Sequence, residues 1–225
     1  MVSQLIIRTV LWLAGMAALL FIPAGTLNWP GAWIFLLEIS AWTFGMGVWL
    51  VKHDPDLLAE RLKPLNQPGQ KRWDKMLLTG AALLWAAWLA FIPLDAVRFR
   101  WSHMPVSVQG LGALGLVACA YIVYLTFREN TYAAPVVKIQ KERGHKVVTS
   151  GPYAYVRHPM YSGVILFLLG TPLLLGSWWG LCVSAALILM LGFRAVMEER
   201  MLTAELDGYA DYAARVRYRL VPLLW

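Results

Sequence analysis

Residues 151–163 read Gly-Pro-Tyr-Ala-Tyr-Val-Arg-His-Pro-Met-Tyr-Ser-Gly, crowding an arginine, a histidine and three tyrosines against the mouth of a long apolar stretch. Charged groups at the edge of a membrane-length segment are costly unless they face water, protein or a ligand. A second polar block, residues 194–219, follows the same stretch and contains Arg194, Glu198, Glu199, Tyr209 and Tyr212. If the stretch doubles back, the two blocks meet at one membrane face. Pro152 and Pro159 fix their backbone angles, and Pro159 suits the first turn of a helix, so the loop 145–158 is expected to be rigid. Such a loop, offering backbone amides, an imidazole and tyrosine rings at a helix start, suits a small polar ligand with both an anionic and an aromatic part. Arg194 and Glu198 stand at i and i+4, on one helix face. Two plainer readings accompany these: an exposed amphipathic helix carrying an Arg194–Glu198 ion pair, and anchoring of Arg157 and His158 to lipid phosphate.

The elements that must position these residues follow from composition. The 225-residue chain is 59% hydrophobic and only 15% charged, with a mean hydropathy of +0.56, too apolar for a soluble domain of this size. It reads as an all-α, polytopic integral membrane protein. Apolar runs of about 20 residues, the length of a membrane span, fall at 5–24, 30–51, 76–94 and 106–127. A fifth run, 161–193, is too long for one span, and Gly170, Thr171, Pro172, Gly176 and Ser177 favour a break near its middle. Six membrane helices are therefore expected, the last two forming a hairpin. The first run, with a single Arg8 and no small-residue cleavage pattern, reads as a retained helix. Basic residues gather between helices two and three (Lys52, Arg61, Lys63, Lys71, Arg72, Lys75) and between four and five (Arg128, Lys138, Lys141, Arg143, Lys146, Arg157). Positive-inside bias predicts that both connections and both termini are cytoplasmic.

Several other features fit plainer roles. The net charge of +7 reflects that bias and attraction to anionic membrane lipids, and no nucleic-acid module accompanies it. Cys119 and Cys182 fall inside spans and read as small packing residues. Gly110, Gly112 and Gly115 match a dinucleotide fingerprint in letters, but no strand precedes them; close helix packing is the better account. His53, His103, His145 and His158 lack metal-ligand spacing, so no metal is expected. Glu38 interrupts the second span and should be neutral, hydrogen-bonded or turned to a polar tunnel. Without a linker or repeat, residues 1–225 read as one domain.

Tyr153, the run Arg157-His158-Pro159-x-Tyr161 and Gly163, then a hairpin, then Glu198-Glu199-x-x-Leu202 with Tyr209, Tyr212 and Val216, resemble the isoprenylcysteine carboxyl methyltransferase family and its phospholipid N-methyltransferase relatives. The resemblance covers roughly residues 138–222. It implies S-adenosylmethionine as methyl donor, bound in a cytoplasm-facing pocket built by the two blocks, and a lipophilic or small acceptor. Donor contacts carried over by it are His145, Lys146, Val147, Val148, Tyr153, His158, Pro159, Tyr161 and Glu198; Arg194 matches a substrate-side arginine, and Arg194 and Glu198 form the catalytic pair. Glu199, about 100° round the helix, should tolerate neutralisation better than Glu198. The sequence departs from the eukaryotic pattern at Leu206-Asp207-Gly208, which bears on the acceptor. An NADPH-dependent membrane reductase of the sterol type and a non-catalytic protein with a degenerate pocket are the competing readings. The apolar helices at 30–51 and 161–175 are the expected walls of an acceptor path from the bilayer.

Overall fold

The computed structural model describes residues 2–225, and among these there is no β-strand. Eight α-helices follow in order: α1 Val2–Ala24, α2 Pro30–His53, α3 Pro55–Arg61, α4 Arg72–Pro93, α5 Val106–Glu129, α6 Pro159–Leu175, α7 Trp178–Glu205 and α8 Tyr209–Arg215. Five have the length and apolarity of membrane spans, while α6 is an apolar helix of 17 residues, at the short end of what crosses a bilayer. The chain is a polytopic helical membrane protein, as its composition requires.

The expected break in the fifth run is present, but only at its distal edge. Gly170, Thr171 and Pro172 stay helical within α6, and the chain turns at Gly176, whose φ is +84°. Ser177 then caps α7 by accepting the Gly180 amide at 2.8 Å, a stop and restart that glycine and serine make cheaply. Gly170 cannot be a turn residue because it is a contact residue: a Cβ there would lie 2.8 Å from the Gly112 carbonyl on α5. Gly112 is equally close to the α6 backbone and Gly115 is in ordinary contact, whereas Gly110 faces open space. Small residues thus bring α5 and α6 together, with Gly110 outside the seam.

Buried Met16, Leu20, Phe35, Trp88, Leu89, Ile92 and Leu175 form the core of the bundle. The Trp88 indole donates to the Gly180 carbonyl at 2.8 Å, joining α4 to the start of α7. Because α6 leaves and α7 returns, the first turn of α6 and the last turns of α7 lie together at one end of the bundle. Glu38 is partly buried, and its Oε2 has no hydrogen-bond partner, so the structural hydrogen bond weighed for it finds no support.

Candidate functional site

The end of the bundle where α6 begins holds a cavity of about 100 Å³, lined by the convergent polar and aromatic side chains that mark small-molecule and cofactor sites. The connection between α5 and α6 supplies one side through Asn130, Tyr132, Lys138, His145, Lys146, Val147, Val148 and Tyr153; His158 and Tyr161 come from the start of α6. Arg194, Glu198, Met201 and Leu202 of α7 close the other side, with Tyr209 and Tyr212 of α8. Every residue expected from sequence to form the site faces this cavity except Pro159, which is buried at the first position of α6 and sets the helix start instead.

The loop 145–158 is held from three sides. Asn130 Nδ2 donates to the Tyr153 hydroxyl at 2.6 Å, and the Tyr212 hydroxyl donates to the Tyr153 carbonyl at 2.8 Å. The amides of Arg157 and His158 donate to the carbonyls of Tyr218 and Arg219, both at 2.9 Å. Burial raises the Tyr153 phenol well above its ordinary pKa, so it remains a neutral donor and acceptor. The Tyr209 phenol is pushed up for the same first reason, and its buried hydroxyl has no partner. A buried hydroxyl without a protein partner on a cavity wall is open to an ordered water or to a ligand.

His145 stacks on Tyr132 with ring centroids 4.4 Å apart, and its Nδ1 accepts the Gln140 amide at 3.4 Å. Burial lowers its pKa from the ordinary 6.5, against the opposing pull of Glu198. The unfolded chain therefore takes up this proton more readily than the folded one. Stability is complete above the unfolded pKa and is lost as pH falls through the folded value. The thermal midpoint should decline between about pH 7 and pH 5, and His145→Asn should flatten that decline; a variant with the parent's full acid slope contradicts the assignment.

Glu198 accepts the Tyr161 hydroxyl at 2.5 Å through Oε2, and the Tyr161 ring stacks on His158 at 5.2 Å and 8°. Arg194 does not form the ion pair with Glu198 that the plainer reading offered. Its Nε donates to Asp74 Oδ1 on α4 at 2.8 Å and an Nη donates to the Pro135 carbonyl at 2.8 Å. The exposed amphipathic helix is thereby corrected: Arg194 is buried, because its i+4 neighbour is outcompeted by a carboxylate on another helix. Lipid anchoring of Arg157 and His158 fails likewise. Arg157 Nε donates to Glu199 Oε1 at 2.6 Å and an Nη to the Val216 carbonyl at 2.7 Å. His158 Nε2 lies 3.2 Å from Glu199 Oε1, and Arg219 Nε donates to Glu199 Oε2 at 2.9 Å. Glu199 is thus the hub that ties α6, α7 and the C-terminal segment, so its expected tolerance does not extend to the fold.

A second, mostly apolar cavity of about 440 Å³ lies between α4, α6 and α7, with Trp12 of α1 at its side. Leu78, Trp85, Phe167 and Leu187 are among its walls, and Arg194 lines this cavity as well as the first. The expected α2 wall is absent from it: buried Phe35 and Ile39 of α2 instead join the core. Sequence reading missed Asp74, Asn130, Tyr132 and the Glu199 hub. Only Glu199 carried a local signal, its place in the second polar block.

Residues 106–206 match the phospholipid methyltransferase family. The protein-S-isoprenylcysteine O-methyltransferase of Schizosaccharomyces pombe is 27% identical over 172 residues, which are 67% of this chain and 72% of the relative. That of Dictyostelium discoideum is 26% identical over 157 residues, 69% of this chain and 61% of the relative. The protein-S-isoprenylcysteine O-methyltransferase B of Arabidopsis thaliana is 31% identical over 83 residues, 36% of this chain and 42% of the relative. The last two matches span less than two thirds of the relative.

Proposed function

We propose that this chain, a membrane methyltransferase related to the isoprenylcysteine carboxyl methyltransferase family and to the phospholipid methyltransferases, takes its methyl group from S-adenosylmethionine and passes it to a lipophilic acceptor drawn from the bilayer. The observation that carries this reading is the junction at Arg194, the residue shared by a polar cavity of about 100 Å³ and an apolar one of about 440 Å³. A polar donor and an acceptor with a hydrocarbon tail need two such compartments meeting where the methyl group changes hands.

The polar compartment suits the donor. The Glu198 carboxylate is placed to take an α-ammonium, with the Tyr161 hydroxyl fixing one of its oxygens. Lys146 and the backbone around Val147 and Val148 offer donors for the donor's carboxylate, and His145 adds a ring nitrogen. The rings of Tyr153, His158 and Tyr161 offer faces for the adenine and for the sulfonium charge. The unpartnered Tyr209 hydroxyl supplies one further hydrogen bond. When bound, the donor supplies an electrophilic methyl group whose transfer is an in-line displacement from sulfur. The protein's part is to hold both reactants in line and to exclude water. Arg194 has the charge to orient an anionic acceptor group beside the donor, and a carboxylate is the group that O-methylation consumes: its oxygen forms the new bond to carbon as the carbon–sulfur pair leaves with sulfur.

Residues 1–225 act in this reading as one domain, with the motif region 138–222 contributing most of the donor site. The basic connections flank the cavity end, so positive-inside bias puts that end and both termini in the cytoplasm.

A series of acceptors sharing one carboxylate head and differing in tail length tests the two-compartment reading. Each added methylene buried contributes about 0.8 kcal/mol to partitioning. Turnover at equal total acceptor concentration should therefore rise with tail length until the apolar cavity is filled. Short, water-soluble members turned over as efficiently as long ones contradict access from the membrane.

A further inference from the structure

Asp74 lies at the start of α4, fully buried, and is not part of either cavity wall. It accepts three N–H groups: Arg194 Nε at 2.8 Å on Oδ1, and Gln70 Nε2 at 2.8 Å and the Val137 amide at 3.0 Å on Oδ2. Gln70 in turn accepts the Gln67 amide at 3.2 Å, so the connection between α3 and α4 is tied into the same cluster. An aspartate with every bond drawn inward is ordinarily a structural staple. Its choice of partner gives it a second consequence.

On α7, Arg194 and Glu198 are four residues apart, the spacing at which opposite charges on a helix pair by default. Among the described residues no such ion pair forms. Arg194 is turned to Asp74, and Glu198 is left with the Tyr161 hydroxyl. We infer that Asp74 is a positioning residue that withholds Arg194 from Glu198 and so keeps the Glu198 carboxylate available to a cationic ligand group. Without the Asp74 charge, the buried guanidinium has one carboxylate within helical reach, and moving to Glu198 neutralises the site that the donor ammonium would use. An unpaired buried arginine is costly enough to drive that move. The inference rests on the proposed donor site, and it reassigns the Arg194 charge: a group already compensated by Asp74 acts on ligands chiefly through its remaining Nη.

The test is a double-mutant cycle with two readouts on the purified full-length protein. Carbodiimide-driven coupling of an amine to Glu198, followed by peptide mass spectrometry, reports the availability of this carboxylate without any ligand. Calorimetric titration with S-adenosylmethionine reports the donor. Asp74→Asn should reduce Glu198 labelling several-fold and weaken donor binding by about ten- to a hundred-fold, the loss expected for a charge-assisted hydrogen bond. In an Arg194→Gln background the same Asp74→Asn change should alter neither readout beyond about threefold, because the competing cation is gone. A merely structural aspartate predicts equal losses in both backgrounds, and that result overturns the inference. Unchanged labelling in Asp74→Asn overturns it too. If Asp74→Asn alone does not fold, the cycle is run with Asp74→Glu, which keeps the charge, should keep Arg194 engaged and should preserve labelling; loss of labelling there contradicts the assignment. A parent protein that labels as expected yet binds no S-adenosylmethionine counts against the proposed function and leaves the withholding of Arg194 supported.

Discussion

Glu199→Gln is expected to lower the thermal midpoint of the purified protein more than Glu198→Gln does. Glu199 faces Arg157, His158 and Arg219 at 2.6 to 3.2 Å, and Arg157 is itself buried. Breaking a buried pair by removing one partner costs about 3–5 kcal/mol, because the other charge stays in place without compensation. For a chain of this size, about 2–4 °C of midpoint accompany each kcal/mol, so the loss should be about 6–20 °C. Glu198 holds a single hydrogen bond, from Tyr161, and its neutralisation should leave the midpoint near that of the parent. Equal midpoints for the two variants contradict the hub assignment.

The donor affinity should show the opposite order. Glu198→Gln removes the proposed partner of the α-ammonium, and loss of a buried charge-assisted hydrogen bond of about 1.5–3 kcal/mol corresponds to roughly ten- to a hundred-fold weaker binding. Glutamine keeps the shape and an acceptor for Tyr161, so the change isolates the charge. Calorimetric binding of S-adenosylmethionine by Glu198→Gln at parental strength removes Glu198 from the donor site. The two results together would divide adjacent residues one helical step apart into a ligand-facing carboxylate and a fold-holding one.

That division shows how far the sequence could be read. Tyr153, His158, Tyr161, Arg194 and Glu198 are dense in two short polar blocks beside apolar runs, and the return of α7 along α6 necessarily brings the blocks together. Hydropathy placed the first four spans and the start of α6 within a few residues for the same reason: one local property, apolarity over about 20 residues, decides them; α7 instead runs on through the second polar block to Glu205. Asp74 was hidden because its partners are 63 and 120 positions away, and an acid in a first helical turn reads as a favourable charge for the helix dipole. The Arg194–Glu198 ion pair, weighed as the plainer alternative, does not form, because i+4 spacing states what a helix allows in isolation while tertiary contact with α4 decides otherwise. Of the five residues expected to break the fifth run, Gly176 and Ser177 make the turn while Gly170, Thr171 and Pro172 stay helical, because glycine signals both a bend and a close approach, and only the position of α5 distinguishes them. The apolar cavity beside Arg194 is walled by α4, α6 and α7 and not by α2, and apolar helices carry little information in their sequence about which neighbour they face.

Methyl transfer from S-adenosylmethionine to a membrane-borne acceptor is tested most directly by one measurement. The purified protein, reconstituted in lipid bilayers containing an acceptor with a hydrocarbon tail and a free carboxylate, is incubated with methyl-labelled S-adenosylmethionine, and the lipid extract is analysed by mass spectrometry. The expected result is a labelled methyl ester of that acceptor, cleaved by mild base and strongly reduced in Glu198→Gln. Parent protein that binds the donor but labels neither this acceptor nor any other lipid in the extract contradicts the account.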